Sequence, residues 1–246
     1  MEGADNAVRK LRCIWISHIH ADHHTGLARI LALRRDLLKG RTREPILVVG
    51  PWQLKKFLDA YQILEDLDMQ FIDCRSTTEA SWVAFEDNSK SKKDDMSLAS
   101  PNDFAEIKNS TLNTESNLFA RGSRMQSYWK RPGNPVDNGM VFPCLKRLKD
   151  VLSEAGLDAL ISFPVVHCPQ AFGIALKAAE RINTVGKAIP GWKIVYSGDT
   201  RPCPELVEAS RGATILIHEA SYRILLYLIT ISIFIFCLEF LNFSKL

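Results

Sequence analysis

In the first part of the chain, short continuous apolar runs alternate with segments whose apolar residues recur at helical spacing. This pattern predicts strands alternating with helices. Short apolar runs rich in β-forming residues predict three buried strands: "LRCIWIS" (11–17), "EPILVVG" (44–50) and "MQFIDC" (69–74). The stretch "GLARILALRRDLLKG" has its apolar residues near helical spacing, and Gly40 is placed to end that helix. "PWQLKKFLDAYQ" begins with a proline, which suits the first position of a helix. This order is typical of an α/β protein.

The pattern stops at about residue 76 and resumes after residue 140. "NSKSKKDDMSLASPNDF" and "NSTLNTESN" are polar and aperiodic, which predicts a disordered polar insertion over 76–140. A helix is predicted over 144–157 and a short helix over 204–212, with strands in "ALISFPVVH", "QAFGIALKAAE", "WKIVYSGDT" and "ATILIHEA". The predicted organisation is one α/β domain in two parts, 1–75 and 141–220, followed by an apolar tail over 221–246.

Composition narrows the class of protein only slightly. The chain has 246 residues, 46% of them hydrophobic and 24% charged, which is enough for one sizeable core. A net charge of +3 is too small to indicate nucleic-acid binding without other signals. The six cysteines are widely spaced without any CxxC, and "MEGADNAVRKLR" lacks the apolar part of a secretory signal. We therefore predict reduced thiols and an intracellular protein, with nucleus, mitochondrion and cytoplasm as equal alternatives.

Four of the six histidines lie in the stretch "SHIHADHHTG", residues 17–26. His18 and His20 are two apart after a predicted strand, so in extended backbone their side chains point the same way and can bind one metal ion. Asp22 and His23 follow in a turn and can face a second ion. Imidazole and carboxylate together favour zinc, with manganese or iron as alternatives. His24 has no obvious partner, and we predict a supporting or structural role for it.

Three other motifs place candidate ligands at the ends of predicted strands. His167 ends "ALISFPVVH" and Asp199 follows "WKIVYS", while His218 and Glu219 end "ATILIHEA". Strand ends of α/β sheets are common ligand sites. Two ions about 3.5–4 Å apart can share a carboxylate and activate water for attack on a phosphoester. Asp199 is the candidate for that carboxylate, although Gly-Asp is also a common turn pair, and His167 could complete the first ion's ligands.

The motif "SHIHADHHTGL" resembles the signature of the metallo-β-lactamase superfamily. Three further motifs, "FPVVHCPQAFG", "KIVYSGDTRPCPELVEAS" and "ATILIHEA", are similar in this order to the carboxyl-terminal half of long-form tRNase Z. Enzymes of that family cut the 3′ trailer from precursor tRNA. The resemblance covers roughly residues 1–75 and 143–220.

This resemblance implies an αββα sandwich, in which two sheets lie face to face with helices outside, incomplete here at both ends. It implies two zinc ions, or manganese, and three roles for the candidate ligands. One ion is held by His18, His20 and His167, the other is held with the help of Asp22 and His23, and Asp199 bridges the two. Asp22 is also implied as the general base, and Glu219 has a catalytic supporting role or is a hydrogen-bonded strand-end carboxylate. The implied partners are precursor tRNA and a second copy of the chain.

The sequence departs from this family in what it lacks. No histidine follows His218, whereas the family has a second histidine motif and a final metal-binding histidine. The family's strands before Met1 and its amino-terminal half are also missing. We therefore expect impaired activity. A non-catalytic metal-binding fragment, and another hydrolase of the superfamily acting on a thioester or lactam, are the alternatives.

The tail "YRILLYLITISIFIFCLEFLNFSKL" does not resemble the family. It has no charge over the 15 positions from Ile224 to Leu238, fewer than the ~20 that span a bilayer. Three interpretations compete: a membrane anchor over 222–243, a buried strand replacing lost structure, or translated non-native sequence. The abrupt change of composition favours the third. In each case, we expect an exposed run of this kind to contact membrane or aggregate.

Overall fold

The computed structural model describes residues 2–94 and 138–219. Helices and strands alternate in the first range, as the sequence predicts, whereas five strands follow one another between residues 159 and 196 of the second. The helices are α1 (Glu2–Lys10), α2 (Ala21–His24), α3 (Leu27–Leu37), α4 (Trp52–Gln62), α5 (Glu79–Asp94), α6 (Asn138–Glu154) and α7 (Pro204–Ser210). The strands are β1 (Cys13–Trp15), β2 (Ile46–Gly50), β3 (Met69–Asp73), β4 (Ala159–Pro164), β5 (Phe172–Ala178), β6 (Arg181–Ile182), β7 (Ala188–Ile189), β8 (Trp192–Tyr196) and β9 (Ile215–Ile217). A single 3₁₀ turn, Cys74–Thr77, joins β3 to α5.

The first sheet is parallel and has the order β1-β2-β3. Trp15 pairs with Val49 and Gly50 pairs with Asp73, so the carboxyl ends of the three strands lie at one edge. The connections between them contain α3 and α4, as parallel pairing requires a crossover. The loop that carries the four clustered histidines leaves the sheet at this edge.

The second sheet is mixed and has the order β4-β5-β8-β9. β4 pairs antiparallel with β5, and β5 pairs antiparallel with β8, while β8 and β9 are parallel with Tyr196 opposite Ile217. The carboxyl ends of β4, β8 and β9 therefore meet at one edge of this sheet. Phe172, the first residue of β5, donates its backbone N–H to the carbonyl of Ser17 at 3.0 Å, which ties this edge to the end of β1.

The two sheets pack face to face through the larger hydrophobic cluster of the described residues. Successive side chains of a strand point to opposite faces. Cys13, Trp15, Leu47 and Val49 of the first sheet accordingly contact the side of the second sheet that bears Leu160, Phe172, Ile174, Leu176 and Tyr196. The buried Trp15 indole donates to Ser162 Oγ at 3.1 Å, so its polar atom is satisfied inside this core.

Helices cover the outer faces of both sheets. The alternate residues of the first sheet, Ile14, Ile16, Ile46 and Val48, pack on buried leucines of α3 and α4. On the second sheet, Phe163, Ala175 and Val195 pack with Leu206 of α7. This layering confirms the expected αββα sandwich. Each fully buried aliphatic side chain contributes about 1.5–3 kcal/mol, so the alternation along the strands determines the layer order.

The predicted disordered insertion over 76–140 is wrong at its amino end. Residues 79–94 form α5, and Trp82 and Phe85 of this helix lie in the inner core. The Trp82 indole donates to the Leu160 carbonyl at 2.7 Å. These two aromatic anchors, one turn apart, hold a helix that is otherwise too polar to show a hydrophobic period. Residues 95–137 of the predicted insertion lie outside the described residues.

Two smaller elements were not predicted, and one prediction lies outside the described part. The chain begins with α1, and β6 pairs with β7 in a short hairpin between β5 and β8. Within the ranges 2–94 and 138–219, no helix has the length and apolar character that a membrane span requires. The apolar tail over 221–246 lies beyond those ranges. The five cysteines in them, Cys13, Cys74, Cys144, Cys168 and Cys203, are free thiols.

Candidate metal centre

Four loops carry the predicted site residues to the edge where the two sheets meet. His18 and His20 follow β1, and His20 precedes the single turn of α2 that contains Asp22 and His23. His167 lies in the loop between β4 and β5. Asp199 follows β8, while Glu219 follows β9. The site therefore draws on both halves of the sandwich.

Three imidazole nitrogens converge at this edge. His20 Nδ1 lies 3.1 Å from His18 Nε2 and 3.0 Å from His167 Nε2. A neutral imidazole nitrogen offers either one proton or one lone pair, so His20 Nδ1 cannot satisfy both neighbours at once. An ion bound tetrahedrally at 2.0–2.1 Å would hold such nitrogens about 3.3 Å apart. The three residues thus fit a metal ion after a small outward movement of the rings.

Asp199 lies against the same nitrogens and begins a second group. Its Oδ2 atom is 3.4 Å from His23 Nε2, 3.7 Å from His18 Nε2 and 3.8 Å from His167 Nε2. Its other oxygen, Oδ1, is buried and has no hydrogen-bond partner among the described residues. A buried carboxylate oxygen without a donor is costly, and a cation at this position would remove that cost. His18, His23 and Asp199 accordingly form a second set of atoms close enough to share an ion.

The protonation of the histidines suits metal binding. Burial, together with the adjacent His23, lowers the pKa of His18 to about 3. Burial also lowers the pKa of His167. Both rings are therefore neutral at pH 7, the form that binds a metal. The hydrogen bond to Asp199 raises the pKa of His23, which favours its protonated form beside that carboxylate.

The carboxyl groups of Asp199 and Glu219 shift each other's pKa in opposite directions. Burial alone would raise the pKa of Asp199, but the hydrogen bonds from His23 and Glu219 outweigh burial and lower it. Hydrogen bonding to Asp199, together with burial, raises the pKa of Glu219 to about 7. Asp199 is thus the ionised member of the pair, as a bridging ligand must be. Glu219 is the member that can hold a proton near neutral pH.

Two buried serines hold residues at the site, and neither was singled out from the sequence. Ser17 Oγ is hydrogen-bonded to His18 Nδ1 at 2.9 Å, which directs Nε2 toward the site. Ser197 Oγ is hydrogen-bonded to His218 Nδ1 at 3.0 Å and accepts the Glu219 backbone N–H at 3.3 Å. Each serine directly adjoins a site motif, and this adjacency was the only sequence signal for its role.

Gly198 places Asp199 in a turn that other residues would distort. Its φ angle is +60°, and a Cβ atom there would lie 2.8 Å from the Phe172 carbonyl oxygen and 3.3 Å from Ser17 Cβ. Only glycine takes up such a position without cost. On the other side, the Thr200 hydroxyl accepts the Val166 backbone N–H at 3.1 Å, which fixes the aspartate loop to the loop of His167.

The loop after His167 also contacts α4. Gln170 has a φ of +60°, and its side-chain oxygen accepts the backbone N–H of Gln53, in the first turn of α4, at 3.3 Å. This bond satisfies one of the donors that a helix leaves open at its start. This bond could not be predicted, because the two glutamines are 117 positions apart.

Three predicted residues lie at the margin of the centre. Asp22 is 64% exposed in its side chain, and its Oδ2 atom is 3.4 Å from His23 Nε2. His24 donates from Nδ1 to the His20 carbonyl at 3.0 Å and packs on Phe57, in agreement with the supporting role expected for it. His218 bonds to Ser197 and belongs to neither metal-binding group of the described residues.

An αββα sandwich with a histidine and aspartate cluster where its two sheets meet defines the metallo-β-lactamase class of folds. The chain is similar to the crystal structure of a long form RNase Z from yeast, with a TM-score of 0.56 and 20% sequence identity. The match covers 90% of this chain and 25% of that one. At this identity, the likeness supports the fold alone.

Sequence similarity to known proteins identifies the family. No family model matches the sequence. Two proteins of Arabidopsis thaliana, the mitochondrial tRNase Z proteins TRZ4 and TRZ3, are 63% and 62% identical to 91% of this chain. The human zinc phosphodiesterase ELAC protein 2 is 30% identical over 88% of it. The chain belongs to the tRNase Z family, and it spans about a fifth of the length of these relatives, 22% of the Arabidopsis proteins and 19% of the human one.

Proposed function

We propose that this chain carries the metal centre of a zinc-dependent phosphodiester hydrolase that removes the 3′ trailer from precursor tRNA. The observation that carries the proposal is the convergence of His18 Nε2, His20 Nδ1 and His167 Nε2 beside the ionised Asp199. The names of the relatives support the substrate and the metal: tRNase Z in Arabidopsis and zinc phosphodiesterase in human.

We further propose that two ions bind, with His18 assigned to the first. The Nδ1 atom of His18 is hydrogen-bonded to Ser17, so its Nε2 atom alone is available and can serve a single ion. It lies closer to His20 than to Asp199. His18, His20 and His167 would therefore hold the first ion, and the nearby His23 and Asp22 would hold the second. The two oxygens of Asp199 leave it suited to bridge them.

When bound, the ions would supply a water of lowered pKa and neutralise charge on the phosphate. The side chains of this chain would transfer protons and hold the ligands in place. Asp22, exposed at the mouth of the site, can accept a proton from the attacking water. Glu219, whose pKa near 7 is set by its bond to Asp199, can hold a proton beside the bridging carboxylate. Ser17 holds the His18 ring through Nδ1, so that its Nε2 atom stays directed toward the site.

The substrate and the cellular compartment of this chain are also part of the proposal. Precursor tRNA is the expected substrate, and the mitochondrial names of the Arabidopsis relatives favour a mitochondrial location. The homodimer and the membrane contact of the tail, both expected from the sequence, stay predictions.

A cleavage assay tests the proposal directly. The purified chain would be incubated with a 3′-extended precursor tRNA and zinc, and bound zinc would be counted by atomic emission in the same sample. We expect cut product at the trailer junction. Asp199→Asn should abolish cleavage and release zinc, because the amide cannot supply the bridging negative charge.

The matched control is Asp36→Asn, which changes an exposed carboxylate on α3 that pairs with Arg35. It should leave both readouts unchanged. Zinc-loaded, folded protein that does not cut precursor tRNA would contradict the proposed activity and favour the metal-binding fragment. Turnover of a thioester or lactam without RNA cleavage would instead favour another hydrolase of the superfamily.

A further inference from the structure

Helix α4 presents an exposed aromatic and basic surface beside the metal centre. Trp52, the first residue of the helix, is 41% exposed. The Lys55 ammonium lies over its ring, 5.6 Å from the centroid, and Lys56 is exposed on the next position. We call Trp52, Lys55 and Lys56 the α4 platform.

The register of the first sheet places this platform at the edge of the site. Trp15 of β1 pairs with Val49 of β2 in a parallel ladder. His18 comes three residues after Trp15, and Trp52 comes three residues after Val49, so both chains leave the sheet at the same edge. Gln170, three residues after His167, bonds to the residue that follows Trp52.

Side-chain contacts give the same position. His24, which directly follows the ligand His23, packs edge-on against Phe57 with 4.8 Å between ring centroids. α4 is therefore in contact with both loops that carry histidine ligands. Its apolar side, Leu54 and Leu58, is fully buried against the sheet.

The exposure of the platform is not a requirement of the fold. Leu54 and Leu58 already anchor the helix on the sheet, and the large ring of Trp52 is left 41% exposed beside them. Lys55 bonds to Asp59 at 2.6 Å, which holds its ammonium beside the ring. An indole face with ammonium groups next to it is the combination that binds single-stranded nucleic acid, by base stacking and phosphate pairing.

We propose that the α4 platform binds a single-stranded RNA segment that enters the metal centre, with a base stacked on the exposed part of Trp52 and a phosphate paired with Lys56. The proposal rests on the proposed function, because it specifies how a substrate of that site is held. A duplex does not fit this role, since its bases are already stacked and cannot offer a free face to the indole.

Binding of a nuclease-resistant probe tests the surface apart from the chemistry. A fluorescein-labelled 2′-O-methyl oligouridylate of six nucleotides would be titrated with the zinc-loaded chain, and its anisotropy would be recorded. Trp52→Leu, which keeps apolar bulk but removes the ring, should weaken binding roughly 5- to 100-fold. Trp52→Phe, which keeps a ring, should stay within about threefold of the unchanged protein. Lys56→Gln should lower the salt dependence of log K by about 0.7.

Leu64→Ala is the control, since Leu64 is 82% exposed just beyond the carboxyl end of the same helix. It should not change the affinity. The proposal is overturned if the unchanged protein does not bind the probe, or if Trp52→Leu binds it as tightly as the unchanged protein. It is also overturned if a 12-pair RNA duplex binds to the unchanged protein and to Trp52→Leu with equal affinity. None of these measurements involves cleavage, so a negative binding result does not contradict the proposed hydrolysis. Likewise, the cleavage result with Asp199→Asn does not bear on RNA binding by the α4 platform.

Discussion

Gly198→Ala offers a sharp test of how the site is held, because two costs at this position can be separated. The first is conformational: at a φ of +60°, an alanine loses about 1–2 kcal/mol, offset by about 0.4–1 kcal/mol from its stiffer unfolded chain. The second is steric. The new Cβ atom would lie 2.8 Å from the Phe172 carbonyl oxygen, a backbone atom that cannot rotate away.

The steric cost should dominate. Relieving that contact requires the turn to move by several tenths of an ångström, and overpacking of this kind costs about 1–3 kcal/mol. We therefore expect Gly198→Ala to lower the free energy of unfolding by about 2–4 kcal/mol in total. The movement carries Asp199 with it, so zinc affinity should fall about 10- to 100-fold, the usual effect of disturbing the groups that support a ligand.

Gly212→Ala is the matched control, because Gly212 has a φ of +67° but nothing within 4 Å of its added Cβ. It should cost about 1 kcal/mol or less, without any change in zinc affinity. Urea titration and competition with a chelator give the two quantities. Equal losses of stability in both variants, with zinc affinity unchanged in both, would refute the reasoning that the Phe172 carbonyl fixes the aspartate.

The core and its buried ionisable groups give three more expectations. Trp82→Ala should lower the free energy of unfolding by about 3–5 kcal/mol, measured by urea titration. The change of its exposed neighbour, Val83→Ala, should lower it by less than about 0.5 kcal/mol. Equal losses in the two variants would show that Trp82 does not anchor α5 in the core. Burial raises the pKa of Cys13 from 9.0 to about 12, so the folded chain keeps a proton that the unfolded chain loses. The contribution of Cys13 to stability should therefore decline above pH 9, by at most about 1.4 kcal/mol per unit. Burial also raises the pKa of Cys74, so Cys13→Ala should make the total decline shallower without abolishing it. Burial lowers the pKa of His18 from 6.5 to about 3, so metal-free protein should lose stability as the pH falls below 6.5 toward 3; a His18→Asn variant with an unchanged acid response would contradict this.

The strands and the ligand cluster could be predicted because both leave a dense local signal. "EPILVVG" is apolar at five successive positions, and the structure buries all of Ile46–Gly50. Four histidines within seven positions are hard to explain except by shared chemistry, and two of them, His18 and His20, do converge with His167. The apolar strands also indicated the location, since His18, His167 and Asp199 were each predicted at a strand end.

The supports of the site and the helix α5 could not be predicted because their partners are distant in sequence. Gln170 next to "HCP" carries no period, and its role appears only when α4 lies beside it. Trp82 and Phe85 are two apolar anchors in a helix of mostly polar residues, too few to define an apolar face. What they contact, Leu160 and the inner core, is provided by the other half of the chain.

The histidine ligands are divided between chain segments that are remote in sequence, and this division has a mechanical consequence. His20 and His167 are 147 positions apart, yet their nitrogens are 3.0 Å from each other. An ion held by both would act as a reversible cross-link across that loop, comparable in its entropic effect to a disulfide closing a loop of similar size, about 4–5 kcal/mol. Polypeptides containing 1–94 and 138–219, expressed separately, should then associate more tightly with zinc and separate on chelation. Association of the two polypeptides would then report the presence of zinc.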